Sequence, residues 1–428
     1  MPLSRYLKIY HDRDRPGHYL LYSTKKGSLI RLSAAKLALA AGDGELPAAD
    51  RETLTRLEML VDDPAAERAA MAGIVARSNE RSTSFSATVA LTMACNLACP
   101  YCFEEGFRHN QAMTDETAGL LTGYIQREQI AKGRNVQIRF YGGEPLMALA
   151  MLKRIAAELQ EAANQQGTEF RCTMVTNATL LTPQVVAELL PLGLTAAQVT
   201  LDGPKEIHDP QRPFVSGKGS FDTILANLVA VHRMVTLKPG GNFTRDNYRE
   251  FPRLLDSMLA AGIDPQRLDP VIFAPILPKS GNSAVRDAAG CCVSCAEPWL
   301  AEAAVMLRQE TKKRGFKVEK PAMGACMVEF GNDMVVNWDG SIYKCPGFMG
   351  WPELSIGTLA TGIREYGESH NLKLWQNDEC LDCPYLPLCF GGCRLITYQQ
   401  TGAMKQAACR RDYYDACLEQ LINPSSPC

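Results

Sequence analysis

The chain has 428 residues, which is long for one ordinary compact domain, so its length predicts two or three folding units. Hydrophobic residues make up 46% and charged residues 21%, as is typical of a soluble globular protein. The 45 basic and 47 acidic residues give a net charge of -2, and the densest basic stretch, Lys312-Lys313-Arg314, is interpreted as a solvated helix end. Composition therefore argues against nucleic acid as a partner.

The N-terminal residues lack the apolar core and the small-residue cleavage site of a secretory signal, and no apolar run reaches membrane-spanning length. We therefore expect a cytoplasmic protein with no membrane partner. Sixteen cysteines in such a protein are a poor match to a disulfide framework, because the cytosol keeps thiols reduced. Metal or redox chemistry is the first hypothesis for them.

The predicted elements fall into three parts. Residues 1–85 begin with strand-like segments around Tyr10 and Tyr19 and predict a small α+β unit, which ends in a polar linker over Arg77–Ser84. Residues 86–289 alternate strands and helices, which predicts a partial (β/α)6 TIM-like barrel in the α/β class. Residues 290–428 form a cysteine-rich domain. The expected barrel strands are Ala87–Met93, Val136–Tyr141, Phe170–Thr176, Ala197–Leu201, Val235–Pro239 and Leu268–Ile276.

Three cysteines follow the first barrel strand closely. Cys95, Cys99 and Cys102 lie where a βα loop reaches the carboxyl end of a barrel, which is where chemistry usually takes place. Three thiolates can hold three irons of a 4Fe-4S cluster and leave the fourth iron open to a small molecule. A zinc site is the alternative, but zinc normally takes four protein ligands in paired spacing.

This CxxxCxxC pattern, with Tyr101 before its third cysteine, resembles the radical SAM superfamily. The resemblance implies a 4Fe-4S cluster that binds S-adenosylmethionine and reductively cleaves it to a 5'-deoxyadenosyl radical. Further motifs follow in the family's order, after the second, third and fourth strands. The residues that the resemblance assigns to S-adenosylmethionine binding are Tyr101, Gly142, Gly143, Glu144, Asn177, Thr200 and Asp202.

The C-terminal cysteines follow the pattern C-x13-G-x4-C, then C-x2-C-x5-C-x3-C, then a final cysteine. This resembles the seven-cysteine SPASM extension of radical SAM enzymes, which implies two auxiliary 4Fe-4S clusters and three clusters in all. The distal cluster would use Cys380, Cys383, Cys389 and Cys409, and the proximal cluster would use Cys326, Cys345 and Cys393.

A fourth proximal ligand, if one exists, should come from the patch Cys291, Cys292 and Cys295. Cys295 is preferred because a helix predicted from about Pro298 would stabilise a thiolate near its N-terminus. Redox activity, substrate binding by this patch, or an open iron are equally good interpretations. Cys172 is expected to be a core residue, and Cys417 lies in a predicted terminal helix.

Proteins with this whole arrangement mostly modify peptides or proteins under anaerobic conditions. The resemblance implies maturation of a ribosomally synthesised precursor peptide by a thioether or other crosslink, with faint similarity to the geopeptide maturase branch. The N-terminal unit resembles leader-peptide recognition elements, which add an extended peptide to a sheet edge. A structural cap is the alternative for this unit. The partners would be a precursor peptide with its leader and an electron donor such as flavodoxin or ferredoxin.

Two other functions compete with peptide maturation. An anaerobic sulfatase-maturating enzyme characteristically has an Asp base directly after the proximal-cluster cysteine, whereas Pro346 follows Cys345 here. A non-catalytic iron-sulfur carrier or scaffold would need neither the open-iron motif nor the GGE segment. The catalytic base stays unassigned: Glu104 and Glu105 are candidates, but surface charge explains them equally well.

Overall fold

A computed structural model describes residues 1–102, 104, 106, 109–276 and 297–423. The N-terminal part is an antiparallel sheet in the order β1-β2-β3, followed by short helices, as the sequence predicts. Its strands are β1 (Leu7–His11), β2 (His18–Ser23) and β3 (Ser28–Ser33). Its helices are α1 (Ala34–Ala38), a π-helical turn (Leu39–Asp43), α2 (Ala48–Arg56), α3 (Pro64–Ala72) and α4 (Ile74–Arg81).

The expected linker over Arg77–Ser84 is wrong, because most of it is helical. Helix α4 buries Val75, and its Asn79 side chain donates to the carbonyl oxygen of Glu329 at 3.0 Å and accepts from the backbone N–H of Gly331 at 3.0 Å. These bonds are to residues about 250 positions away. The apolar residues of this helix, Ile74 and Val75, pack in the core cluster that contains Tyr6 and lie before the expected linker, so a reading that begins at Arg77 misses the apolar face.

The middle part is a parallel sheet whose strands neighbour one another in chain order from β4 to β9. This confirms the α/β class and the partial (β/α)6 barrel. The strands are β4 (Ser84–Thr92), β5 (Asn135–Gly142), β6 (Phe170–Thr176), β7 (Leu194–Thr200), β8 (Thr236–Phe243) and β9 (Ile272–Pro275). The helices are α5 (Asp115–Glu128), α6 (Leu149–Gln166), α7 (Pro183–Leu189), α8 (Lys205–Gln211), α9 (Phe221–Val231) and α10 (Phe251–Ala260).

The largest buried core lies between these strands and their helices. Leu121, Ile155 and Leu228 from the helices are fully or almost fully buried beside Ile138 and Cys172 from the strands. Cys172 is 0% exposed and burial raises its thiol pKa to about 12, so it is the core residue that the sequence predicts. None of the described helices is long and apolar enough to span a lipid bilayer.

The C-terminal part extends the barrel sheet. Strand β10 (Asp333–Val336) pairs in parallel with β4, and β11 (Ser341–Tyr343), β12 (Gly357–Thr358) and β13 (Gly362–Ile363) continue the sheet in antiparallel fashion. The helices of this part are α11 (Pro298–Lys313), α12 (Asp378–Leu381), α13 (Leu386–Cys389), α14 (Arg394–Thr401) and α15 (Arg411–Ile422). Thus α11 begins at the predicted residue, and the buried Cys417 in α15 packs with it.

The N-terminal unit packs against the cysteine-rich part of the chain. The Tyr6 hydroxyl donates to the carbonyl oxygen of Leu381 at 2.7 Å, and the Tyr6 ring shares a core cluster with Trp375 and Phe390. The Thr24 hydroxyl donates to the carbonyl oxygen of Pro384 at 2.8 Å. These contacts attach the unit to the segment between Cys380 and Cys389.

Candidate active site

The first three cysteines lie at the carboxyl end of the first barrel strand. The pairing of β4 with β5 shifts register between Ala90 and Thr92, immediately before the cysteine loop. Within the loop, the backbone N–H of Cys102 donates to the carbonyl oxygen of Cys99 at 3.2 Å. The Cys95 sulfur accepts from the Leu97 N–H at 3.5 Å, which turns the thiol back over its own loop.

Two glycines allow the loop after β5 to contact this cysteine loop. The N–H of Gly143 donates to the Thr92 carbonyl oxygen at 2.9 Å. A Cβ on Gly142 would lie 2.2 Å from that same oxygen, and a Cβ on Gly143 would lie 2.4 Å from the Ala94 oxygen. Any other residue here would therefore push the two loops apart. The two glycines thus allow a close approach between two backbone segments of this chain.

Glu144 is fully buried, and its carboxylate joins the loops after β5 and β6. One oxygen accepts from the Thr176 hydroxyl at 2.8 Å and from the Leu146 N–H at 3.1 Å; the other accepts from the Asn177 N–H at 2.7 Å. Burial raises the Glu144 pKa, while these donors favour the charged form. Glu144 therefore fixes the relative positions of two loops.

Asn177 links the third strand's loop to the first cysteine. Its amide nitrogen lies 3.8 Å from the Cys95 sulfur and donates to the Asn96 side-chain oxygen at 2.8 Å. Asn96 in turn donates to the Thr179 hydroxyl at 2.8 Å. The sequence motif identified Asn177, but it gave no signal for Asn96 and Thr179, because amide and hydroxyl residues are common in loops.

Tyr101 and Asp202 form a buried network with two residues that the sequence analysis missed, Arg212 and Asn242. The Tyr101 hydroxyl donates to Asp202 and accepts from Arg212 at 2.7 Å, and the Asn242 backbone N–H donates to Asp202 at 2.6 Å. Burial raises the pKa of both Tyr101 and Asp202. Burial disfavours the Arg212 charge, but Tyr101, Asp202 and Cys99 beside it raise its pKa overall.

This network places a permanent cation beside the cysteine loop. Arg212 lies on the segment after α8, 110 positions or more beyond the cysteines, and no spacing rule connects it to them. The fourth predicted strand is confirmed as β7, and its last residue, Thr200, is partly buried two positions before Asp202. The neighbouring His208 is 0% exposed; its Nδ1 accepts from the Asp202 N–H at 3.1 Å.

Glu104 lies inside the protein and is only 4% exposed, so surface charge does not explain it. It forms a side-chain hydrogen bond with Tyr141, whose pKa is raised by burial and then by Glu104, Cys102 and Cys345. Tyr141 is thus close to the first cysteine loop and also to a C-terminal cysteine. Glu105 and the patch Cys291, Cys292 and Cys295 lie outside the described residues.

The C-terminal cysteines form two groups. Cys380, Cys383, Cys389 and Cys409 line one cavity of about 560 Å³. Cys326, Cys345 and Cys393 form the second group, in which the charges of Cys326 and Cys393 act on the Cys345 thiol. These are the same two sets that the sequence pattern assigned to the distal and proximal clusters.

The donor set suits thiophilic metal chemistry. Burial raises the pKa of Cys345 to about 12 and of Cys389 to about 11, so these thiols stay protonated until a metal displaces the proton. Among the described residues, no group of three or more His, Cys, Asp or Glu side chains is arranged to hold a metal ion. A cubane cluster places four irons between its thiolates, so the ligand sulfurs need not crowd around one ion.

A second cavity, of about 690 Å³, lies between the edge strand β9 of the barrel and the proximal group of cysteines. Its lining includes Phe273 from β9, Arg308 from α11 and Tyr413 from α15, together with Cys326 and Cys393. The cavity has room for amino-acid side chains, and it connects the open side of the barrel with the C-terminal cysteines.

Comparisons with known proteins agree with this geometry. Residues 89–255 match the profile of the Radical SAM superfamily. The cysteine-type anaerobic sulfatase-maturating enzyme of Clostridium novyi is 24% identical over 328 residues, which are 69% of this chain and 84% of that protein. The Fe-coproporphyrin III synthase of Methanosarcina barkeri is 30% identical over 163 residues, 37% of each chain.

Two solved structures share the fold. Native anSMEcpe with bound AdoMet superimposes with a TM-score of 0.62 at 19% identity, covering 79% of this chain and 98% of that one. Streptococcus suis SuiB bound to the precursor peptide SuiA superimposes with a TM-score of 0.53 at 15% identity, covering 95% and 98%.

A parallel partial barrel that carries a three-cysteine loop after its first strand, with the GGE loop bonded to it, defines a class of cluster-dependent enzymes. Residues 89–255 are a Radical SAM domain, and the chain is a radical SAM enzyme rather than a non-catalytic carrier. Its family implies a 4Fe-4S cluster and S-adenosylmethionine as cofactors.

Proposed function

We propose that this enzyme matures a ribosomally synthesised precursor peptide by abstracting a hydrogen atom from it and forming a thioether or another crosslink. The observation that carries the proposal is the N-terminal sheet, whose outer strands β1 and β3 are both edges and which packs on the cysteine-rich segment. Such an edge can receive an extended leader through backbone hydrogen bonds. The likeness to SuiB supports it, since that likeness spans 95% of this chain and that structure holds a precursor peptide.

Cys95, Cys99 and Cys102 would hold the cluster that binds S-adenosylmethionine, and together these cofactors supply the 5'-deoxyadenosyl radical. The chain's own residues position this site. Gly142 and Gly143 hold the cysteine loop in place, Glu144 fixes the neighbouring loops, and Arg212 places a cation near Cys99. Backbone groups of the GGE loop, with Asn177, Thr200, Tyr101 and Asp202, would orient the bound S-adenosylmethionine.

Two auxiliary clusters complete the proposed cofactor set. The distal cluster would occupy the cavity lined by Cys380, Cys383, Cys389 and Cys409, and the proximal cluster would use Cys326, Cys345 and Cys393. Cys295 stays the proposed fourth proximal ligand. The proposed domains are 1–85 for leader recognition, 86–289 for the radical SAM barrel and 290–428 for the auxiliary clusters.

An electron donor such as flavodoxin or ferredoxin is proposed to reduce the clusters. Cys409 is exposed at the rim of the distal cavity, beside the exposed side chains of Lys373, Lys405 and Arg411. Arg411 forms a side-chain hydrogen bond with Cys383, whereas no ion pair of Lys373 or Lys405 occurs among the described residues, so these two lysines are available to an acidic protein surface. Flavodoxin-driven turnover should therefore weaken with rising salt, whereas turnover with dithionite should not.

An anaerobic sulfatase-maturating activity is the second candidate. It is favoured by the similarity to the Clostridium novyi enzyme, which covers 84% of that protein, and by the fold likeness to anSMEcpe. Against it, Pro346 follows Cys345 and begins a 3-10 helix, so the position offers no carboxylate. Formylglycine in a sulfatase-type cysteine peptide, detected by mass spectrometry, would select this candidate.

The first experiment is anaerobic incubation of the reconstituted, dithionite-reduced protein with S-adenosylmethionine, with iron counting and detection of 5'-deoxyadenosine. About twelve irons per chain, from three cubane clusters, with deoxyadenosine formed would support the whole cofactor assignment. Near four irons with deoxyadenosine would keep the barrel site and reject the C-terminal clusters. Cys99→Ala should abolish deoxyadenosine formation, whereas Cys383→Ala should retain S-adenosylmethionine binding and lose turnover.

Leader capture is tested by hydrogen exchange with a synthetic peptide that carries the leader sequence of a candidate precursor. Protection of amides in β1 or β3 on peptide binding is expected, since strand addition pairs edge N–H groups. Protection confined to the barrel mouth, with none in residues 7–33, would make the N-terminal sheet a structural cap.

A further inference from the structure

The cavity between β9 and the proximal group of cysteines carries a positive charge that the proposed function does not use. Its volume of about 690 Å³ is in the range of ligand pockets. Three basic side chains line it, those of Arg308, Lys320 and Arg410. Among its described lining residues Glu319 is the single carboxylate, and it pairs with Lys238 at 2.8 Å. The lining of the cavity is therefore cationic overall.

Arg308, on helix α11, is half-buried in the wall of this cavity. Its guanidinium donates to the carbonyl oxygen of Glu319, and no ion pair of Arg308 occurs among the described residues. Burial lowers the Arg308 pKa, so the surroundings do not fully replace the water that the charge has lost. A guanidinium has five N–H donors in a planar fork, and this fork matches the two oxygens of a carboxylate.

The other two cations of the cavity add to its positive potential. The Arg410 guanidinium carbon lies 5.0 Å from the centroid of the Tyr413 ring and 5.4 Å from that of the Tyr414 ring. Lys320 is exposed. Charges of one sign in a cleft with walls of low polarity attract an ion of the opposite sign. An anionic group that enters this cavity is therefore drawn towards Arg308.

The rest of the lining is mainly apolar. Phe273 from β9 and Ile396 from α14 line the cavity and are half-buried, so part of each apolar surface stays exposed. Cys326 and Cys393 line the same cavity. A matching occupant has an anionic group with apolar groups on either side of it. A peptide segment that carries an acidic residue between apolar residues has this chemistry.

We propose that this cavity is a substrate subsite in which an Asp or Glu side chain of the precursor peptide pairs with Arg308, while its apolar neighbours pack on Phe273 and Ile396. The inference rests on the proposed peptide maturation and adds a sequence requirement to it, an acidic residue in the segment that enters the cavity. The pairing holds this segment beside Cys326 and Cys393. Arg308 thus determines specificity and takes no part in the cleavage of S-adenosylmethionine.

The test measures the binding of three synthetic pentapeptides to the reconstituted full chain, by anaerobic isothermal titration calorimetry at low salt. The first peptide is blocked at both ends and has glutamate between two leucines. The second has glutamine in place of glutamate, and the third has glutamine and a free carboxyl terminus. Arg308→Gln removes the charge but can still donate to the Glu319 carbonyl, and Arg308→Lys keeps the charge. Arg233→Gln, at an exposed position after α9, is the control for loss of an arginine.

We expect the parent protein and Arg233→Gln to bind the glutamate peptide about tenfold more tightly than the glutamine peptide, as a charge-assisted pair provides. Arg308→Gln should bind the two equally, and Arg308→Lys should keep a smaller preference, because lysine cannot form the bidentate pair. Equal binding or no binding of the two peptides by the parent, an undiminished preference in either Arg308 variant, or tightest binding of the third peptide would overturn the proposal. If Arg308→Gln loses iron, Arg308→Lys decides.

This binding is measured without S-adenosylmethionine and without turnover, so its result is separate from that of the proposed function. A parent protein that prefers the glutamate peptide but modifies no precursor would keep the acidic subsite and reject peptide maturation. A parent protein that crosslinks a precursor but shows no preference between the peptides would keep peptide maturation and reject the subsite.

Discussion

Single residues at the barrel mouth act mainly by holding backbone segments together. Gly142 and Gly143 leave no room for a side chain between the GGE loop and the loop that carries Cys95, and the Glu144 carboxylate connects that GGE loop to Asn177. A change of one methyl group here therefore moves several groups of the site at once, because the contacts are to rigid backbone.

Gly143→Ala should displace the cysteine loop, since its Cβ would lie 2.6 Å from the Met93 oxygen as well. We expect loss of about four irons, those of one cubane cluster, and loss of deoxyadenosine formation, measured by iron counting and mass spectrometry. Gly119→Ala is the matched control: no atom lies within 4 Å of its Cβ position in α5, so it should gain about 0.5–1 kcal/mol of stability. Full iron in Gly143→Ala would contradict this account.

The stability of the folded protein should depend on pH through His208, and the direction follows from the shift of its pKa. Its Nδ1 accepts from the Asp202 N–H, so Nε2 carries the proton and donates to the Ser220 hydroxyl at 3.0 Å. Burial lowers the His208 pKa from 6.5 to about 3. In the window between these values the unfolded chain binds a proton that the folded protein does not, so stability falls as the pH falls.

Lowering the pH from about 6.5 to about 5.5 should therefore cost the folded protein about 1 kcal/mol through His208 alone. His208→Gln cannot titrate and should lack this part of the loss, although its stability at neutral pH will be lower. Urea unfolding of both proteins at the two pH values measures the difference. Equal pH slopes would show that His208 can be protonated inside the folded protein.

Among the elements, helix α4 shows how a short apolar face is missed in a mostly polar sequence. It packs Val75 inward, and Asn79 pairs with the backbone at Glu329 and Gly331, just beyond Cys326. The helix thus supports the segment that leads from the proximal cysteine into β10. Strand β10 in turn pairs in parallel with β4, so the cysteine-rich part and the barrel share one sheet.

Asn79→Ala should lower the free energy of unfolding by about 1–3 kcal/mol, because it leaves a partly buried N–H and carbonyl without their partner. Ser78→Ala, at an exposed position of the same helix, should change it by less than about 0.5 kcal/mol. Urea denaturation of both variants measures the two values. An Asn79→Ala variant as stable as Ser78→Ala would show that the contact of α4 with the backbone at Glu329 and Gly331 does not stabilise the fold.

At the scale of the whole molecule, the first and last parts of the chain form one body. The buried ring of Tyr6 lies in a core cluster with Trp375, Leu381 and Phe390, next to the cysteines that line the distal cavity. Arg68 pairs with Asp378 and Asp382 at the surface of the same contact, but exposed pairs of this kind contribute little. The apolar contact, together with the hydrogen bonds of Tyr6 and Thr24, is therefore what holds the N-terminal unit in place.

Tyr6→Ala should remove about 3–5 kcal/mol from this contact and impair the distal cluster. We expect about eight irons per chain, two cubane clusters, with S-adenosylmethionine cleavage retained. Ile9→Ala is the control, because Ile9 is 37% exposed on the same sheet. If Tyr6→Ala keeps all its iron, the cysteine-rich segment folds without support from the N-terminal unit.

The sequence by itself determined the barrel and the cysteine sets, because both depend on local signals: alternating strands and helices, and short spacings such as CxxxCxxC and CxxC. It also located the GGE loop, Asn177 and Asp202 by their register with the first cysteines. Only the tertiary structure revealed Arg212, Asn242, the pairing of β10 with β4, and the cavity that Arg308 lines. Their roles arise from contacts between residues far apart in the chain, which composition and periodicity do not record.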